Sequence, residues 1–285
     1  KPLAHALLDA GKSVRIITRD AAKAQDLVDK GAELVLGSAT DAAVLQAAFA
    51  GAQAVYFMVP PDGSVADLTA YQTEAAEAGA AALRAHKVPY VVTLSSVGAH
   101  LETGGGVVQG LHNMEQIFNQ LPDTHVLHLR PGYFMENLLG QVGGIKHQGT
   151  VAAPNPADQP IGMIATADIA AYAAQRLLAL DWRGVANVQH LSGPTDVTPA
   201  EVTAFIAAAI GKADLPYYQV PLPAFRDFMV NVWGVGASYA DRMVEFTESL
   251  SAGRIEELSK TQSHRTATSA EQFIHTTFKY VYSLN

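Results

Sequence analysis

The chain contains no cysteine, which removes disulfides, thiolate metal sites and cysteine nucleophiles at once. It is also poor in charge. Only 16% of its 285 residues are Asp, Glu, Lys or Arg, and the formal net charge is −8. No run of lysine or arginine offsets that acidic balance, so the basic face that a nucleic-acid groove needs is missing and no direct nucleic-acid partner is expected. No apolar run reaches the length of a membrane span, so no membrane partner is expected. No secretory leader is visible, and with the lack of cysteine this fits a cytoplasmic protein. His112 and Glu115 lack a third ligand, and no metal site is expected. What is present is apolar: 49% of the residues are hydrophobic, enough for a sizeable core. The length suits one large α/β domain or a domain with a smaller appendage.

Apolar, β-branched runs alternate with helical periodicity. Strands are predicted at 13–18, 33–36, 52–59, 89–95 and 124–130, and helices at 3–10, 20–30, 41–49, 64–86 and 109–120. Asp41 fits an N-cap. Short connections between alternating strands and helices mean βαβ units and a parallel sheet covered on both faces, so a doubly wound α/β fold is expected. After Tyr133 the rhythm changes. Residues 140–163 read as loop and short extended structure, followed by a helix at 168–180 and a strand at 187–192. Thr198, Pro199 and Glu201 form a capping box with proline at N1, on a helix ending before Gly211. Helices are expected at 223–233 and 238–252, and Thr268 with Glu271 is expected to cap a last helix.

A dinucleotide-binding sheet starts with a strand running into a glycine-rich turn, which brings a pyrophosphate against a helix N-terminus. No G-x-G-x-x-G or G-x-x-G-x-x-G precedes residues 13–18, and the chain opens at Lys1-Pro2-Leu3 already in a helix. The expectation is that a strand and turn, roughly 10–15 residues, are absent from the front of this sequence. Gly11-Lys12-Ser13 echoes the end of a P-loop, but Ala6 holds the position of its first glycine and a strand follows.

Several segments, in order and spacing, resemble the NmrA-like family of atypical short-chain dehydrogenases/reductases. They are LAHALLDAG (3–11) with VRIITR (14–19), SSVGA (95–99), LRPGYFMENL (129–138), TADIA (166–170), and the closing stretch 266–278. The third is similar to the family's LRPxxFxEN segment and is the most specific. The resemblance spans nearly the whole chain. It implies a Rossmann domain over 1–138 completed by 166–195, with a smaller substrate lobe from 139–165 and 196–285. It implies NADP(H) as cofactor ahead of NAD(H). It also implies one of two activities: an NADPH-dependent reductase of a quinone, azo or activated-alkene acceptor, or a non-catalytic NADP(H) sensor that binds a protein partner. A sugar-nucleotide epimerase is the third reading.

Candidate residues follow from the strand ends. Thr18 and Arg19 close the second strand, where an arginine accommodates the 2′-phosphate of NADP. Met58, Val59, Pro60 and Pro61 end the next buried strand, at the edge where ligands sit in open α/β sheets. Ser95 and Ser96 end the strand that carries a substrate-binding serine in ordinary short-chain dehydrogenases. The partner of that serine, a Tyr-x-x-x-Lys pair, is missing: none of the ten tyrosines has lysine four residues on, and no lysine lies between Lys87 and Lys146. His112 and Glu115, three apart on the helix that would carry the pair, share a face. The resemblance puts Gly132, Tyr133 and Phe134 beside the nicotinamide. Tyr133 and Ser95 are the candidate catalytic groups. Asn137, Phe228 and Trp233 are candidates for contact with a small, flat, apolar acceptor.

Overall fold

The computed structural model describes residues 1–255 and 263–284. The first half alternates as expected: α1 (Pro2–Asp9), β1 (Arg15–Thr18), α2 (Gln25–Asp29), β2 (Glu33–Leu36), α3 (Ala42–Phe49), β3 (Ala54–Phe57), α4 (Leu68–Ala85), β4 (Tyr90–Leu94), α5 (Gln109–Phe118) and β5 (His125–Pro131). Shorter elements follow: β6 (Tyr133–Phe134), α6 (Gln141–Gln148), β7 (Val151–Ala153), β8 (Ile161–Ile164), α7 (Thr166–Ala179), β9 (Asn187–Ser192) and β10 (Asp196–Val197). The chain continues through α8 (Pro199–Ile210), β11 (Tyr217–Gln219), α9 (Leu222–Asn231), α10 (Ala237–Ser251) and β12 (Ser263–Arg265) to a closing helix that begins at Ala270.

The main sheet has five parallel strands in the order β12-β9-β5-β4-β3, and β1 and β2 form a separate parallel pair. The α/β, doubly wound, parallel character read from the sequence is thus the observed one, but the single sheet expected over 13–18, 33–36, 52–59, 89–95 and 124–130 is split, because no described strand lies between β1 and β3 to join the first pair to the rest. α3 packs on both β1 and β2. Arg15 ties this pair to the same helix, donating from Nη1 to the carbonyls of Ala48 (2.9 Å) and Ala50 (2.8 Å). One face of the main sheet is covered by α4 and α5 around Phe57 and Phe118, whose ring centroids lie 5.1 Å apart. Gly110 allows that closeness: a Cβ there would stand 2.3 Å from Cβ of Gln72 on α4. The opposite face is apolar, with Leu127, Leu129 and Leu191 packed beneath Ile169 and Ala173 of α7. A further core joins α6, α8 and the closing helix around Ile145, Ile206 and Phe278.

Local chemistry explains the boundaries. The Asp41 carboxylate caps α3, accepting from Ala43 N at 2.8 Å. Thr198 and Glu201 form the capping box of α8, with Pro199 at its first turn. Three further expectations need correction. Residues 20–30 do not form one helix, because the Asp20 carboxylate takes the amides of Ala22 and Lys23 and starts a 3-10 turn over Ala22–Ala24 instead. Residues 140–163 are not mainly loop: they hold α6, β7 and β8. Gly143 and Gly144 hid α6, since glycine weakens helical propensity where packing of Val142 and Ile145 supplies the stability. The closing helix is capped by Ser269, which accepts from Gln272 N at 3.0 Å. Thr268 instead donates its hydroxyl to Asp168 at 2.9 Å, a partner one hundred residues away.

Candidate active site

Two groups of candidate residues lie at the carboxyl ends of the parallel strands. The outer group surrounds Arg19. Thr18 Oγ1 donates to the Asp20 carbonyl at 3.0 Å and accepts from Asp20 N at 3.1 Å, which fixes the turn leaving β1. The Asp20 carboxylate faces Lys23 at 3.8 Å rather than Arg19. Arg19 is exposed, and no ion pair holds its guanidinium among the described residues. It does sit within electrostatic range of Asp62 and Tyr71: it helps hold the Asp62 carboxyl below its ordinary range, after the hydrogen bonds from Ser64, and it acts on Tyr71. Tyr71 donates to the Pro60 carbonyl at 3.3 Å. Arg19 therefore lies on the same side of the molecule as Asp62, the residue that follows the Met58–Pro61 stretch. In that stretch Met58 is exposed and Val59 buried.

The inner group is a polar row across three adjacent strands. Ser95 follows β4, Arg130 lies near the end of β5, and His190 pairs with Arg130 in the register of β9. Glu115 of α5 closes the row from above the sheet. Its carboxylate accepts from Ser95 Oγ at 2.5 Å and Arg130 Nε at 2.9 Å, and Arg130 Nη2 binds its second oxygen. Glu115 is 1% exposed and Arg130 9%, so this is a buried, bidentate ion pair. The single Ser95 proton is committed to Glu115, and the hydroxyl keeps only acceptor capacity for a ligand. A deeper row on the same face repeats the theme: Thr93 Oγ1 meets His128 Nδ1 at 2.7 Å, and His128 Nε2 meets Asn119 at 3.1 Å. Burial pushes the His128 imidazole down to about 4, and burial with the Arg130 charge does the same for His190.

His112 and Glu115 share a face of α5 but not a hydrogen bond. Glu115 is taken by Arg130 and Ser95, while His112 Nδ1 bonds the Ala99 carbonyl at 2.9 Å. Gly132 is needed for a reason internal to the protein: a Cβ would stand 2.2 Å from the Gly162 carbonyl of β8. Phe134 pairs with Ile164 in the same small sheet. Tyr133 is exposed as a residue, at 38%, but its phenol end turns inward toward Asn137, and enclosure of that end pushes the phenol up to about 12 despite the hydrogen bond to Asn137. Tyr217 lies in the same electrostatic neighbourhood. Phe228 and Trp233 are exposed and meet edge to face at 5.5 Å. They sit at the end of α9, where Gly236 N donates to the Gly63 carbonyl at 2.6 Å and so docks on the loop that follows β3.

In the sequence Arg130 stands out only within the LRPGYFMENL segment, and nothing singles out His190. For Arg130 a signal exists. His125–Pro131 reads HVLHLRP, a polar–apolar alternation in a strand covered on both faces, where a continuous apolar run is the rule.

The NmrA-like family matches residues 1–273 of the chain. The NAD(P)H azoreductase of Xenophilus azovorans is 30% identical over 243 residues, 84% of this chain and 79% of that protein. The triphenylmethane reductase of Citrobacter sp., solved in complex with NADP(H), superposes with a TM-score of 0.75 at 19% identity, covering 96% of this chain and 94% of that one. NmrA, a negative transcriptional regulator solved with NADP, superposes with a TM-score of 0.75 at 15% identity, covering 100% of this chain and 93% of that one. At such identities the two structures speak for a shared fold.

Proposed function

The chain belongs to the NmrA-like family, and on that premise we propose that it is an NADPH-dependent reductase of flat, conjugated acceptors such as azo compounds, quinones or activated alkenes. The observation that carries this reading is Arg19, a cation at the end of β1 with no ion-pair partner among the described residues, suited to a 2′-phosphate. Thr18 and Arg19 hold the phosphorylated ribose, and Met58, Val59, Pro60 and Pro61 line the adenosine. Ser95, Ser96, Gly132, Tyr133 and Phe134 border the nicotinamide. Asn137, Phe228 and Trp233 flank the acceptor, at the junction of the sheet domain (1–138 with 166–195) and the smaller lobe (139–165 with 196–285). Bound NADPH supplies the hydride, and the protein's part is to orient donor and acceptor and exclude water. This accounts for a site without a Tyr-Lys pair. The test is steady oxidation of NADPH by the purified protein with an azo dye or a quinone, and no turnover with either rejects the reading.

One observation favours a second reading, a cofactor sensor. The Ser95 proton is tied to Glu115, as suits a site built for holding rather than turnover. The NADP-bound transcriptional regulator of the same fold is the corresponding comparison. NADPH binding without oxidation, together with capture of a protein partner that depends on the redox state of the cofactor, would select it.

A further inference from the structure

Four histidines belong to or border the polar row, and their ring nitrogens are not equivalent. His128 has both nitrogens engaged, by Thr93 and Asn119. His190 is 4% exposed, and its Nδ1 is buried without a partner. His100 spends Nε2 on the Arg254 carbonyl at 3.2 Å, and its Nδ1 is enclosed. His112 alone combines an anchored nitrogen with an open one. Its Nδ1 lies 2.9 Å from the Ala99 carbonyl, an acceptor, so Nδ1 carries a proton in either charge state. Nε2 has no hydrogen-bond partner among the described residues, and the side chain is only half-buried. His112 belongs to the first turn of α5, and Ala99 to the turn that follows β4 at its carboxyl end. The imidazole thus stands at the edge of the sheet where Ser95 and Ser96 lie.

We propose that His112 is the proton donor that accompanies hydride transfer, an inference that rests on the reductase reading above. Reduction of an azo bond needs two electrons and two protons. The dihydronicotinamide provides the electron pair and one hydrogen as hydride to one nitrogen. The His112 Nε2–H bond breaks as an N–H bond forms on the other nitrogen. The product is the hydrazo compound, NADP⁺ is released, and the neutral imidazole, its proton retained on Nδ1, is reprotonated from water. For a quinone the same proton goes to oxygen. The Ala99 carbonyl fixes the tautomer and the ring plane, the role an orienting group plays for a catalytic histidine. His100 on the β4 turn lies within electrostatic range of His112, of Glu115 on α5 and of Arg130 on β5. Glu115 and Arg130 neutralise each other as a pair.

The acceptor separates proton donation from everything else His112 does. A triarylmethane dye is a carbocation that takes hydride and becomes neutral without a proton, whereas an azo dye requires one. In His112→Gln, whose amide can still donate to the Ala99 carbonyl, the ratio of azo to triarylmethane reduction should fall by about 10²-fold, the scale of general acid catalysis. NADPH affinity, read by fluorescence, should stay within about threefold. Nitrogen NMR of the unmutated protein should show neutral His112 as the Nδ1–H tautomer, a readout independent of turnover. An Nε2–H tautomer, or an unchanged ratio with azo reduction intact in the variant, overturns the proposal. Failure of the unmutated protein to reduce either dye refutes the reductase reading instead, and the tautomer measurement still judges the geometry at His112.

Discussion

Arg19 and Arg130 stand at the ends of two parallel strands, and their surroundings give them opposite tasks. Arg19 is exposed and carries a positive charge that no ion pair holds among the described residues. Arg130 is buried, and its fork is closed on Glu115. A solvated guanidinium costs little to leave open and remains available to an anionic ligand. A buried one is tolerable only when paired, since removing its carboxylate strands a charge in low dielectric. The difference teaches that the end of a strand does not determine what an arginine does. The presence of a carboxylate on the covering helix decides it.

The harshest way to break this comparison is Glu115→Ala. It strands Arg130 and leaves Ser95 without its acceptor, and it should cost about 3–5 kcal/mol in denaturant unfolding. A loss below about 1 kcal/mol would mean that the inner arginine is no more dependent on a partner than the outer one.

The second concerns pH. His128 has a folded pKa of about 4 against an ordinary 6.5, chiefly through burial. The folded state therefore holds fewer protons than the unfolded chain between those values. Its contribution to stability is complete above the unfolded pKa and is lost as pH falls from 6.5 toward 4. Urea melts at neutral pH and at about pH 5 should differ by about 2 kcal/mol from this group. In His128→Asn the difference should shrink by that amount. An unchanged pH slope would remove His128 as its source.

The third addresses the outer end. Arg19→Asp should weaken NADPH binding by about tenfold or more, equivalent to about 1.4 kcal/mol, and narrow the preference over NADH. Unfolding should stay within about 0.5 kcal/mol, as for an exposed position. Tighter binding of NADH than NADPH by the unmutated protein would defeat the assignment of Arg19.

The smallest effect sharpens the contrast most directly. Lysine in place of each arginine keeps the charge and removes the fork. Arg130→Lys should lose about 1 kcal/mol of stability with one of its two charge-assisted bonds, and Arg19→Lys almost none. Equal effects in unfolding experiments would mean that the two sites are not distinguished by their partners.

The alternation of elements through residue 130, the parallel strand direction and the caps at Asp41 and Thr198 were legible because each depends on residues a few positions apart. That an exposed cation follows β1 was legible as well, since its position depends only on the end of one strand. The helix over Gln141–Gln148 was not, because its glycines argue against it locally and its stability comes from the core it joins. The Thr268 partner was not, because Asp168 is distant in sequence.

His112 and Glu115 show where the division falls. Their spacing placed them on one helical face, and that was correct. Spacing does not say which neighbour a carboxylate prefers. Glu115 faces Arg130 of one strand and Ser95 of the next, while His112 turns to a backbone carbonyl that no residue pattern encodes. Sequence by itself determined the family, the layered α/β architecture and the cation at the end of β1, because these rest on periodicity and on residue type at strand ends. Only the tertiary structure decided which arginine is paired, which serine proton is committed and which imidazole nitrogen is open, because those depend on distances of about 3 Å between elements far apart in the chain.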